Sequence, residues 1–333
     1  MRRRTLLLAG AALSVPGVLR AQEAPELRIG VQFGFTYLPL LVVRGRRLLE
    51  AHAAREGVAA PRVSWPQMSG GGAMNDALLS GGIDIGTAGV TPLVLLWART
   101  RANLKVRALA SVASVPLFLN TNSPGVARIR DFTPRDRIAV PTVKVSFQSV
   151  VLQMAAEQEW GAGQHARLDP LTVTMPHPDA TAQLLAGRSE ITAHFASPPF
   201  QNQQLTQPGI RRVLSSYEVA GGAHSVTLLY ATERWRSANP RTLRALLGAV
   251  DEAAAWIAAN RRAAAELYAA NERSPLSVDQ LEALLTDPDH RFGTTPEGIM
   301  RFAEFQHRTG MVRDRPADWR DLFFPEAHDR AGA

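Results

Sequence analysis

The residues of this chain best suited to chemistry are hydroxyls, amides, imidazoles and glycine-rich turns ahead of helices, a set that holds a polar molecule. Ser69-Gly70-Gly71-Gly72 and Gly89-Val90-Thr91-Pro92 flank the helix expected from Ala73 to Ser80 and the strand Ile83–Gly86, and each leads into helical spacing. The first turn of a helix has N–H groups without intrahelical acceptors and carries the positive end of the dipole. Both turns therefore suit an anion or a hydrogen-bond acceptor. Thr91 is expected to cap the second helix, with Pro92 at its first position. Ser146, Gln148 and Ser149 open a third helix, expected from Phe147 to Trp160 and stopped at Gly161. Lys144, one of only two lysines, reads either as a counter-ion for a ligand or as an exposed loop charge.

Gln32, Phe33, Phe35 and Tyr37 follow the first expected strand, Leu27–Val31. His194 and Ser197 belong to a later strand and its exit, and His224 with Ser225 precedes the strand Val226–Ala231. Ligands in open α/β sheets collect at the carboxyl ends of strands, so these residues, with Ser69, Gly70, Gly89 and Thr91, are candidate rims of one cleft. Competing readings stand beside them: Ser146 as a cap of its own helix only, and His194 as a satisfied core histidine. Phe33, Phe35, Tyr37 and Phe195 would supply apolar walls, which favours an organic solute over bare nitrate.

Several chemistries are excluded or unsupported. The chain of 333 residues has no cysteine, so disulfides, thiol catalysis, thiolate metal sites and a cysteine-linked lipid are ruled out. No Gly-x-Ser-x-Gly elbow and no His-Glu-x-x-His run occurs. His52, His165, His177, His290, His307 and His328 are scattered through expected surface or helical contexts. No catalytic residue, metal or cofactor is expected.

Arg2-Arg3-Arg4, the apolar run Thr5–Leu13 and Ala21-Gln22 read as a cleavable export signal over residues 1–21, loosely of twin-arginine type. Removing Arg2, Arg3, Arg4 and Arg20 from the formal charge of +7 leaves +3, too little to suggest a nucleic-acid binder. No later apolar run is long enough to span a bilayer. A soluble periplasmic monomer is expected.

The order of parts carries a resemblance. Ala77-Leu78-Leu79-Ser80-Gly81-Gly82-Ile83-Asp84-Ile85-Gly86, then a short loop with Thr91-Pro92, is similar to the first lobe of substrate-binding proteins of nitrate/sulfonate/taurine-type ABC importers, whose relatives include binders of thiamine pyrimidine precursors. Asp131-Phe132 and Ile138–Pro141 resemble the opening of the second lobe, with Arg135-Asp136-Arg137 in place of the usual Gly-Lys. Asp179–Gly187 repeats the helix-glycine theme, and Glu190-Ile191 stands where the family has aspartate-alanine. The resemblance implies an α/β, two-lobed periplasmic binding protein type II fold, with two doubly wound sheets and a ligand cleft between them. Residues 26–114 and 232–333 would form lobe I and residues 115–231 lobe II. The stripe Leu243, Leu246, Leu247, Val250, Ala254 and Ile257 would help cover lobe I. The implied function is capture of a small organic solute, a sulfonate, taurine- or carboxylate-like anion or a thiamine pyrimidine precursor, for a membrane permease and its ATPase. A pyrimidine synthase on the same fold, whose cysteine-rich iron motif this chain lacks, and a ligand-sensing subunit are the alternatives.

Overall fold

Two mixed sheets organise residues 25–272 and 274–330, the part of the chain that the computed structural model describes. The expected export signal lies outside these residues. The first lobe opens with β1 (Glu26–Arg28), α1 (Leu38–Gly45), α2 (Leu48–Arg55), β2 (Arg62–Ser64), α3 (Gly71–Leu79), β3 (Ile85–Ala88), α4 (Val90–Thr100) and β4 (Arg107–Ser114). The chain then crosses into the second lobe with β5 (Phe118–Thr121), β6 (Ile138–Val140), α5 (Phe147–Trp160), β7 (Thr172–Thr174), α6 (His177–Ala186), β8 (Ala193–Phe195), α7 (Phe200–Leu205), β9 (Arg211–Ser215) and α8 (Ser216–Ala220). It returns through β10 (Thr227–Ala231), α9 (Glu233–Ala238), α10 (Pro240–Ala259), α11 (Arg261–Glu272), α12 (Val278–Thr286), β11 (Arg291–Phe292) and α13 (Ile299–Arg308).

The two sheets match place by place. The second has the order β7-β6-β8-β5-β9, with β6 parallel to β7 and β8, and β5 antiparallel to β8 and β9. In the first, β1 pairs in parallel with β2 and reaches β3 through the parallel bridge Ile29–Ile85, while β10 runs antiparallel between β3 and β4. The order there is β2-β1-β3-β10-β4, with β11 on the outer edge. In each five-strand order the antiparallel strand is the one that follows a crossing; β11, at the outer edge, is also antiparallel to β4. Because β10 pairs with β3 and β4, the expected lobe boundary after Ala231 is corrected to the segment before Thr227.

Local sequence explains most element limits. Ser146 caps α5 by accepting from the Ser149 N–H, and Gly161, at φ 96°, ends it in a backbone region that side chains avoid. α4 begins two residues earlier than expected. Gly89 is its N-cap, and Thr91 and Pro92 are its second and third residues, where a missing N–H costs little because the first turn has no acceptor for it. β3 lies two residues later than the expected strand. Fully buried strands such as β10 read as continuous apolar runs because both faces are covered.

One apolar cluster crosses between the lobes. It joins Leu93, Val94 and Trp97 of α4 to Phe147, Val150, Val151 and Met154 of α5 and to Phe302 and Phe305 of α13. A second cluster packs α1, α2, α10 and α11 on the first sheet through residues such as Leu40, Val43, Leu49, Leu246 and Val250. Among the described residues no helix is long and apolar enough to cross a membrane, and no group of three or more metal-ligating side chains converges.

Candidate functional site

Strand ends from both sheets meet in a cleft of about 420 Å³. The first lobe lines it with Gln32, Phe33, Thr36 and Tyr37 beyond β1, Gly71 at the head of α3, Gly89 at the head of α4, and Thr227 of β10. The second lobe contributes Pro141 beyond β6, Ser146, Phe147 and Gln148 at the head of α5, His177 at the head of α6, and Ser197 beyond β8. The lobes touch around it. Phe35 N–H donates to Pro198 O at 2.8 Å, Thr91 Oγ1 to Val145 O at 3.1 Å, and Gly72 N–H to Thr142 Oγ1 at 3.4 Å. A Cβ at Gly70 would lie 2.7 Å from Pro141 O, and one at Gly89 would lie 2.8 Å from Phe147 Cβ, so both glycines are required by close approach.

None of the residues lining the cleft carries a full charge. Positive potential comes instead from four helix N-termini, α3 and α4 on one side and α5 and α6 on the other. Ser197 Oγ is buried in the cleft wall and has no partner among the described residues, so it is left to hydrogen-bond a guest. Tyr37 donates to Thr87 O at 3.4 Å, and burial raises its phenol above the ordinary range, keeping it a neutral donor. Gln32 Nε2 donates to the same carbonyl at 3.0 Å. A second hollow of about 490 Å³ shares Gln32 and Tyr37, but Trp65, Arg44 and Tyr268 of the first lobe line the rest of it and the second lobe does not face it.

Of the residues singled out from sequence, Gln32, Tyr37, Gly89, Ser146 and Ser197 line the cleft, and Gly70 and Thr91 form its closing contacts. The others are placed elsewhere. Phe35 turns into the first-lobe core, edge-on to Tyr268 at 4.8 Å. Its short 3₁₀ turn, Phe35–Tyr37, starts after Gly34 at φ 114°; Phe33 precedes that change of direction and lines the cleft with Thr36 and Tyr37, while Phe35 packs into the core. Ser69 is exposed and outside the lining. Ser149 Oγ accepts from Lys144 N–H at 2.8 Å and so stabilises the loop before α5. Lys144 is exposed and does not line the cleft, so it supplies no counter-ion there. His224 is fully buried, bonded to Ser216 Oγ at 2.9 Å and packed on Phe147 and Phe302, so it is a core residue beside the crossing. Phe195 is also core.

His194 lies one residue behind the wall. Its Nε2 is 2.8 Å from His177 Nδ1, and His177 is the imidazole that reaches the cleft. Desolvation lowers both, His177 to about 3, so both are neutral at ordinary pH. From sequence His177 reads as one of six scattered histidines, because Asp179 looks like the first residue of its helix. Pro178 directly after His177, beyond a strand, was the available start signal.

The model of the NMT1-like family matches residues 20–270. No protein of curated function matches the sequence. The alkanesulfonate-binding protein of Xanthomonas axonopodis pv. citri, solved bound to MOPS, superposes with a TM-score of 0.69 at 18% identity, covering 94% of this chain and 100% of that one. The periplasmic aliphatic sulphonate-binding protein of Escherichia coli gives 0.63 at 19% identity, covering 91% and 92%. The periplasmic nitrate-binding protein of Synechocystis PCC 6803 gives 0.66 at 16% identity, covering 91% and 85%. At these identities the likenesses establish the fold.

Proposed function

Because the chain belongs to the NMT1-like family, we propose that it is the periplasmic solute-binding component of an ABC importer, delivering a small acceptor-bearing organic solute to a permease and its ATPase. The observation that carries this reading is the cleft itself. Two sheets of matching order present their strand ends to one another, and four helix N-termini, an unpaired serine hydroxyl and neutral amide and imidazole groups face the shared space. Such a lining suits a sulfonate or carboxylate oxygen at one end of a solute, while Phe33, Tyr37 and Phe147 suit an apolar or flat body, including a pyrimidine. Binding needs contacts from both lobes, so the solute favours the shut arrangement. The similar solved proteins named as sulfonate and nitrate binders support the transport reading over an enzyme or a sensor.

A thermal-shift screen of alkanesulfonates, taurine, carboxylates, nitrate and hydroxymethylpyrimidines tests it. An organic sulfonate or carboxylate is expected to raise the melting temperature, with micromolar affinity by calorimetry. Stabilisation by none of these compounds overturns the solute class.

A further inference from the structure

We propose that His177 is a dedicated N–H donor to the solute, and that a buried relay through Asn120, Gln204 and His194 fixes it in that state. The inference deepens the solute-binding reading and rests on it. It follows from proton accounting along one chain of side chains, each at least nine-tenths buried.

The chain starts at a group that can only accept. Asn120 Nδ2 reaches the backbone carbonyl of Gln201 at 3.0 Å, which fixes the orientation of the Asn120 amide. The same Nδ2 donates to Gln204 Oε1 at 2.9 Å, so the other end of Gln204 is its NH₂. Gln204 Nε2 donates to Thr181 Oγ1 at 2.9 Å and to His194 Nδ1 at 2.7 Å. His194 Nδ1 must therefore accept, and the His194 proton sits on Nε2. That proton is donated to His177 Nδ1 at 2.8 Å. His177 Nδ1 is then an acceptor in turn, and the His177 proton is left on Nε2, at the cleft wall. The reverse order would set an N–H of His194 against the NH₂ of Gln204 deep in the lobe, an unpaired clash of donors in a dry site.

The cleft end of the relay shows what it is for. Gln148 Nε2 lies 3.3 Å from His177 Nε2. With the proton on His177 Nε2 and Gln148 presenting Nε2, two N–H donors stand 3.3 Å apart at the heads of α5 and α6; one solute acceptor set before both satisfies the pair, and without a solute the Gln148 amide turns its Oε1 to the imidazole. An oxygen of a sulfonate or carboxylate, or a ring nitrogen or carbonyl of a pyrimidine, has that character. His177 is a binding residue in this scheme, and His194 and Gln204 are positioning residues. Neutrality of both imidazoles, enforced by burial, keeps the donor count the same across the ordinary pH range.

Long-range ¹H–¹⁵N spectra of the full-length protein labelled at histidine nitrogens read the proton positions directly, before and after addition of ethanesulfonate. His177 and His194 are expected as Nε2–H tautomers at neutral pH, with the His177 Nε2–H resonance displaced by ethanesulfonate. Gln204→Leu is expected to leave the fold intact and to give His177 a mixture of tautomers, which a merely structural glutamine would not do. His177→Phe keeps the ring stacked on Phe200 and is expected to weaken ethanesulfonate binding roughly 10- to 100-fold, the range for a hydrogen bond to a charged group. His177 carrying its proton on Nδ1, or native affinity in His177→Phe, overturns the proposal. A native protein that ignores ethanesulfonate, acetate and nitrate while His177 is an Nε2–H tautomer overturns the solute class and the role of His177 toward it, and leaves the relay standing.

Discussion

The two lobes share a strand order yet meet the cleft with different chemistry. The first lobe offers mostly shape: Gly71 and Gly89 line the space, Gly70 lets the backbone of the opposite lobe approach, Gln32 and Tyr37 are both tied to Thr87 O, and Thr227 adds one buried hydroxyl. The second lobe offers groups still able to bond a guest, Ser197 Oγ, Gln148 and His177, with a buried polar relay behind them. The lesson is a division of labour within one repeated architecture. One half sets how closely the lobes shut, and the other sets what polarity of solute they shut on.

The largest expected effect that can break this comparison is an acid response concentrated in the second lobe. His177, and His224 beside the crossing, are buried neutral and held down to about 3, below the ordinary value near 6.5. Between those values the unfolded chain binds protons that the native state refuses, so stability is full above about pH 6.5 and falls as pH drops toward 3. Each such imidazole contributes roughly 1.4 kcal/mol per pH unit within that window. Hydrogen exchange is expected to show β6, β8 and α6, around His177 and His194, losing protection before the first-lobe strand β3. Equal loss in both lobes would remove the asymmetry.

Gly70→Val tests the shape-setting half. Its φ is extended, so the cost is contact alone: the new side chain meets Pro141 O and Thr142 Oγ1 and props the lobes apart. Affinity is expected to fall about 100-fold, or about 2.7 kcal/mol, with each lobe still folded. Small-angle scattering with saturating solute would show whether the variant stays open.

Ser197→Ala and Ser149→Ala separate the two kinds of serine. The first removes a hydroxyl that bonds nothing in the protein, so affinity is expected to fall about tenfold with the melting temperature unchanged. The second removes the acceptor of Lys144 N–H and is expected to cost about 1 kcal/mol of stability with affinity retained. Calorimetry and thermal melts on both variants check the pair, and the opposite pattern would reassign the head of α5. Smallest of all is Arg308→Ala. It breaks a two-pronged ion pair between α13 and Glu157 of α5, but the arginine is more than half exposed, so at most about 1 kcal/mol is expected in a chemical melt.

Much of this architecture is legible in the sequence, and the misreadings share a cause. Helix starts and stops at Ser146, Gly161, Gly81 and Ser277 follow from capping chemistry that is local to a few residues. The strand-end rule brings out Gln32, Gly89, Ser146 and Ser197 without any knowledge of packing. Which way a side chain turns within such a loop depends on the exact turn and on what lies across it. Phe35 and Phe33 are two residues apart and face opposite sides across Gly34, whose φ of 114° redirects the chain between them. His224 looks like a strand-end ligand until the crossing segment is seen to run beneath Phe147 and Phe302. His177 and His194 show the converse. The imidazole expected on the wall lies behind it and His177 is in front, because α6 starts two residues before Asp179 and so carries His177 at its head, between His194 and the cleft.

The absence of full charges from the cleft wall bears on how a solute would leave it. The field there is assembled from four peptide dipoles, and each lobe owns two of them. Drawing the lobes apart disassembles half of that field at once. A solute leaving such a cleft has no ammonium or guanidinium partner to be stripped from, and neither lobe alone is a strong trap for it. Hand-over at the membrane then requires only that something pull the two halves apart.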